Sequence, residues 1–245
     1  MLTIPCTSPH PAQRIISLAP DITEDLFAIG AGKQMVGVEN NSDYPPAAQK
    51  VTKIGGFTGL DIERIATLSP DLIITWGHTF DRELAPLQNM GIPIFHAHYQ
   101  QLSDIPDLFR QLGCLTGHVG EANQLAAHFN QQLQQLGAQY AQRPPVRVFY
   151  ELNAHPLMTV NKQSWINDLI VLCGGQNIFA DAHFIAPMID LESVIRARPQ
   201  VILDASTLNP DWIERATPRL LWGAKQLCDD LHSPHLGVAD GKNAA

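Results

Sequence analysis

No apolar run in this 245-residue sequence approaches the ~20 residues that cross a bilayer as a helix. Its opening, MLTIPCTSPHPAQR, lacks a basic n-region and a long apolar h-region, so it does not have the form of a signal peptide. Taken literally, this keeps the chain in the cytoplasm; a start further upstream would leave the same text. There are only four cysteines, Cys6, Cys114, Cys173 and Cys228, and no C-x-x-C pair, which argues against a zinc ribbon or a thioredoxin-like site. The even count permits disulfides without requiring them, and alone it favours reduced, buried thiols. Charge is sparse, at 16% of residues, and sums to −8, which disfavours nucleic acid and anionic membranes as partners. The common catalytic signatures are missing as well: no G-x-S-x-G elbow, P-loop, G-x-G-x-x-G or H-E-x-x-H. Gly30-Ala31-Gly32 ends a helical pattern instead of opening one, so no phosphate site is expected there.

What is present is an ordinary globular composition, 45% hydrophobic, organised around Val38 to Trp76. A strand end runs into a polar turn closed by Pro45 and Pro46. A glycine-rich loop carrying Phe57 follows, then a short helix from Asp61 and a buried strand, Leu72 to Trp76. Part of this stretch recurs. DIERIATLSPDLIITW (61–76) aligns without a gap to DLESVIRARPQVILDA (190–205), matching Asp61 to Asp190, Glu63 to Glu192 and Pro70 to Pro199. A weaker echo pairs residues 24–36 with 167–179. Two related α/β halves explain this economically; two generic helix-Pro-strand units that match by chance are the alternative.

Read in order, Ile15–Ala19 is a buried strand, Asp21 and Glu24 form a capping box on a helix ending at Gly30, and Met35–Val38 is the next strand. Helices near 81–89 and 102–112 flank a strand at 92–97. The β-α-β-α-β-α order predicts a parallel, doubly wound sheet. Gly120 to Gln142 runs without proline, with Leu125, Phe129, Leu133, Leu136 and Tyr140 at helical spacing. It is either one stiff bridging helix or a pair kinked at Gly137. The second half starts with the strand Val146–Leu152, has a helix from Ser164 or Asn167 and a short strand at Ile178-Phe179, and ends with a helix near 218–231. After Ala205 it lacks the helix and strand that follow Trp76 in the first half, a loss of roughly 20–25 residues. The expectation is an α/β protein of two Rossmann-like lobes with parallel sheets, joined by one long bridging helix, the second lobe shortened. The boundaries are 14–117, 118–143 and 144–232, with tails at 1–13 and 233–245.

Ligands collect at the carboxyl ends of strands in such sheets. Those ends carry Asn40, Asn41, Tyr44, Phe57 and Trp76, a half-apolar, half-amide surface. Phe57, Trp76, Trp165 and Trp212 form a wall for a large flat ligand, or pack as core residues individually. His78, His96 and His98 follow two strands. They are either metal or haem ligands or, as favoured here, solvated histidines, and no metal is assigned. Asp211, Glu214 and Arg215 cap the last helix, and Arg215 also has the reach to enter a crevice. Glu63 and Glu192 sit either as favourable charges at helix starts or as paired docking knobs for a two-fold symmetric partner.

SDYPPAAQK, GLDIERIATLSPDLIITW, LCGGQNIF and DWIERATPR, in this order, resemble the periplasmic vitamin B12-binding proteins of cobalamin ABC importers, a family in the metal-chelate class of solute-binding proteins. The resemblance spans about residues 14–232 and implies a non-enzymatic receptor with no catalytic cofactor, working in the periplasm. It would hold cobalamin or a related corrinoid in a cleft between lobes and deliver it to an inner-membrane ABC permease dimer. Phe57 and Trp76 match aromatic ligand-wall positions, and Asp211, Trp212, Glu214 and Arg215 match a polar cluster. Glu63 and Glu192 match the acidic knobs that engage the permease, and Cys173 and Cys228 match a disulfide pair. Asn41, Leu152 and Ala186 depart from the family, standing where it has aromatic ligand contacts. Fewer aromatics imply weaker binding or another corrinoid. Within the class, haem or a ferric chelate is the alternative ligand. Outside it, the alternative is a cytoplasmic corrinoid- or metal-handling protein, or a degenerate receptor.

Overall fold

The computed structural model describes residues 10–233. Residues 1–9 and 234–245, within the expected tails, lie outside the described residues, as does Cys6. The chain divides into two compact units. The first holds residues up to Tyr99 and Asp104–Phe129; the second holds Gln100–Ser103 and the chain from Asn130 onward.

The first unit is built on four parallel strands, β1 (Ile15–Ser17), β2 (Met35–Val38), β5 (Leu72–Trp76) and β6 (Ile94–Ala97), in the order β2-β1-β5-β6. Between them run α1 (Pro20–Ala28), a small hairpin of β3 (Gly55–Gly56) and β4 (Gly59–Leu60), α2 (Ile62–Thr67) and α3 (Asp81–Asn89). After β6 comes α4 (Ile105–Thr116). The strands are apolar on both faces because helices cover both. Ile16 and Ile73 pack with Ile54, Ile65, Phe80, Leu84 and Leu87. Elsewhere in the unit Phe109 meets Phe129 edge-on, with ring centroids 5.6 Å apart. The lead-in is anchored too: Ala12 N donates to Leu115 O at 2.8 Å, and Gln13 N donates to Asp71 Oδ2 at 2.8 Å. The expected capping box on α1 does not form. Ala19 is the N-cap and offers no side-chain bond, and Glu24 is buried.

Helix α5 (Val119–Tyr140) is continuous over 22 residues and shows no break at Gly137. No helix among the described residues is long and apolar enough to cross a membrane.

The second unit has three parallel strands, β7 (Val146–Tyr150), β10 (Gly175–Asn177) and β11 (Val201–Leu203), in the order β10-β7-β11. A hairpin of β8 (Asn153–Ala154) and β9 (Leu157–Met158) follows β7 and was not expected. Helices α6 (Trp165–Leu172), α7 (Leu191–Ala197), α8 (Pro210–Ile213) and α9 (Leu220–Leu231) complete it. The strand expected at Ile178-Phe179 lies earlier, at β10. Asn177 ends it: its Oδ1 accepts from Phe179 N at 2.9 Å, turning the chain so that Phe179 packs edge-on to Phe149. By position β7 corresponds to β1 and β11 to β5. Among the described residues no strand takes the place of β6, so β11 is an edge strand.

The repeated segments fold alike in detail. Asp61 caps α2 by accepting from Arg64 N at 2.9 Å, and Asp190 caps α7 by accepting from Ser193 N at 2.7 Å. Ser69 and Arg198, each just before its proline, have left-handed φ angles of 48° and 49°. Arg14, next to β1, donates through Nε to the carbonyls of Leu68 and Ser69, both at 3.1 Å. Arg147, in β7, donates to the carbonyls of Ala197 and Arg198 in the same way. A guanidinium at a helix carboxyl end satisfies orphan carbonyls and complements the dipole. Nothing in the sequence pattern marked these two arginines.

Candidate ligand-binding surfaces

In the first unit, the turn after β2 rests on buried hydroxyls. Thr23 Oγ1 lies 2.9 Å from both Ser17 Oγ and Ser42 Oγ, and Asn40 N donates to Gly55 O at 2.8 Å. Asn41 is exposed on this turn. Phe57 tips the β3–β4 hairpin and is 73% exposed, with its ring 5.8 Å from that of Phe80. The hairpin needs glycine at position 55, where φ is +99° and a Cβ would come within 2.2 Å of Gly59 O. Leu60 N donates to Glu83 Oε2 at 3.0 Å, tying the hairpin to α3. Trp76 ends β5 and is 45% exposed, its ring 6.4 Å from Tyr99. Tyr99 is buried and donates to Asp21, whose carboxyl is pushed up chiefly by burial. Two large aromatics left in solvent beside supporting aromatics are an apolar face ready for a ligand. Phe80 and Tyr99 escaped the sequence reading because both are buried supports.

In the second unit Asp211, Glu214 and Arg215 lie on and just after a short helix of their own and do not cap the last helix. Asn209 caps α8, accepting from Asp211 N at 3.0 Å, while α9 starts separately after Arg219. Asp211 Oδ1 pairs with Arg215 Nη2 at 2.9 Å. Glu214 Oε1 accepts from the buried Tyr150 hydroxyl at 3.0 Å. Burial raises the Glu214 carboxyl above its usual range, the Asp211 charge adds to this, and the Tyr150 hydrogen bond opposes it. Burial also pushes Tyr150 far above the usual phenol value. Tyr150 carries no motif in the sequence; its one signal is an aromatic at the carboxyl end of a strand. Trp212 meets Trp222 edge-on at 5.5 Å, and Trp165 Nε1 donates to Ile213 O at 3.0 Å. Gly223 lets α8 seat on α9, since a Cβ there would lie 2.6 Å from Trp212 O. Leu152 and Ala186 are half-buried; Leu152 N donates to Met158 O at 2.9 Å.

Cys173 and Cys228 form a disulfide with Cα atoms 4.8 Å apart, joining the end of α6 to α9. This overturns the reading of reduced thiols from the cysteine count. Glu63 and Glu192 occupy equivalent places in the first turns of α2 and α7. Both are exposed, and among the described residues neither carboxylate has a hydrogen-bond or ion-pair partner.

Two α/β units with parallel sheets, each presenting aromatic and polar side chains near strand ends, define a solute-binding protein. Residues 15–231 match the family model of the periplasmic binding proteins, and the chain belongs to that family. The Vitamin B12-binding protein of Vibrio cholerae serotype O1 is 38% identical over 250 residues, covering 91% of this chain and 90% of that one. The crystal structure of the periplasmic Vitamin B12 binding protein BtuF of Vibrio cholerae superposes with a TM-score of 0.82 at 36% identity, covering 91% of this chain and 98% of that one. The periplasmic heme-binding protein RhuT from Roseiflexus sp. RS-1, in apo form, has a TM-score of 0.74 at 22% identity, covering 90% and 98% of the two chains, a likeness of fold alone. Since 91% of 245 residues is about 223, some 27 of the 250 positions aligned to the Vibrio relative have no residue here, about the size of one helix-plus-strand unit.

Proposed function

We propose that this chain is the periplasmic receptor of an ABC importer, binding cobalamin or a related corrinoid and handing it to an inner-membrane permease dimer. The near full-length likeness to the Vibrio cholerae Vitamin B12-binding protein carries this reading. The exposed Phe57 and Trp76 supply apolar area for the corrin face. The Asp211, Glu214 and Arg215 cluster, with Trp212 beside it, supplies donors and acceptors for the amide rim. Asn41, Leu152 and Ala186 are smaller contacts at positions where the resembled family has aromatics. They favour a weaker complex or a corrinoid other than cobalamin. No chemical step is assigned to the receptor. Its part is capture and delivery, with Glu63 and Glu192 as one docking contact on each unit.

Uptake tests the reading as a whole. In cells that lack their own receptor but retain the permease, secreted chain is expected to restore growth that depends on scarce cobalamin. Failure to do so by secreted, folded protein would count against delivery.

A further inference from the structure

His78, Asp81 and His96 come from two neighbouring pieces of the first unit: the segment from the loop after β5 into the first turn of α3, and β6. His78 Nδ1 lies 2.8 Å from Asp81 Oδ2, and His96 Nδ1 lies 3.5 Å from Asp81 Oδ1. The two imidazoles stack with centroids 4.5 Å apart, and the His98 ring centroid lies 5.4 Å from that of His78. One ligand-capable atom from each of His78, Asp81 and His96 lies within 4.8 Å of the others.

Two further observations separate this group from histidines that merely share a surface. First, His96 Nδ1 lies 2.9 Å from Gly77 O, which can only accept, so Nδ1 carries the proton and Nε2 keeps its lone pair for a ligand. A backbone carbonyl orienting the far nitrogen is the support that metal-binding imidazoles commonly have. Second, the loop bearing His78 is pinned. Gly77 N donates to Ala97 O at 2.8 Å, and Thr79 Oγ1 donates to Trp76 O at 2.9 Å. The backbone that carries His78 is therefore held against β6.

We propose that His78, Asp81 and His96 bind a divalent transition metal, with His98 near enough to serve as a fourth ligand. Two imidazoles and one carboxylate select borderline ions such as Zn²⁺, Ni²⁺ or Cu²⁺ over Ca²⁺ or Mg²⁺. Tetrahedral Zn²⁺ with bonds of about 2.0–2.1 Å needs donors about 3.3–3.5 Å apart. His78 and Asp81 are both exposed, which leaves their side chains free to turn toward an ion held by His96. The site is independent of the corrinoid reading.

The test is a Zn²⁺ titration of untagged protein, read by calorimetry, with Co²⁺ absorption as a second signal. Wild type is expected to bind one equivalent saturably and to give the visible bands of a histidine-bound, low-coordinate Co²⁺. His78→Ala and His96→Ala, each checked for fold by circular dichroism, should each lose about tenfold or more in affinity along with the Co²⁺ bands. His128→Ala, an exposed histidine on α5, should match wild type. No saturable Zn²⁺ binding by folded wild type would overturn the proposal, and so would undiminished binding in the His78→Ala/His96→Ala double variant.

Discussion

Asp25 is fully buried in α1, and neither of its carboxylate oxygens has a hydrogen-bond partner among the described residues. Burial, with the nearby Asp21 and Glu24 charges added, pushes its carboxyl well above the usual value, so the folded protein holds it neutral. In the unfolded chain it ionises near pH 4. Asp25 therefore costs the fold nothing below about pH 4 and destabilises it increasingly as pH rises toward the raised value. Asp25→Asn cannot ionise, so urea unfolding should show less loss of stability between pH 5 and 8 than wild type; parallel pH profiles for the two would contradict this. At Tyr150 the opposite change is expected to hurt. Tyr150→Phe removes the donor to a partly buried Glu214 and should cost about 1–3 kcal/mol of stability. Residues such as Tyr150, Arg14 and Arg147 were not legible in the sequence, because their roles depend on what the fold brings from 50 or more positions away.

At the level of elements, the repeat was legible because it encodes local chemistry. An Asp cap, an apolar stripe and a proline break specify a helix and its stop without help from the rest of the chain. Strand β10 was not, since Gly175-Gln176-Asn177 has little β propensity and is strand because β7 pairs with it. Seating of α8 on α9 through Gly223 was equally invisible. Gly223→Ala should displace α8, cost about 1–3 kcal/mol in thermal or urea unfolding, and weaken binding by the Asp211–Arg215 cluster that α8 carries. The Cys173–Cys228 bridge closes a loop of 55 residues, worth about 4 kcal/mol by chain entropy. Cys173→Ser/Cys228→Ser should lower stability by about 2–4 kcal/mol, as reduction of the wild type should; urea midpoints that do not move would show that the bridge adds nothing. Its pairing came from family resemblance, since the cysteine count favours free thiols.

The whole molecule is a member of the periplasmic binding protein family with two α/β units, the second holding three strands where the first holds four among the described residues. The class was legible because several motifs occur in family order. The details of the proposed ligand surface were less so: the exposed Phe57 and Trp76 could be read from the sequence, but the buried Phe80 and Tyr99 beside them appear only in three dimensions. Docking is expected to need both acidic knobs. Glu63→Lys/Glu192→Lys should abolish uptake while leaving corrinoid binding intact, and loss of binding by that variant would remove the docking role.

The most direct test is a calorimetric titration of the purified chain with cyanocobalamin, with haemin as the comparison. Saturable one-to-one binding of cyanocobalamin, with Trp76→Ala and Arg215→Ala each weakening it, is the predicted result. Binding of haemin alone, or of neither by a protein shown to be folded, would contradict the corrinoid-receptor account.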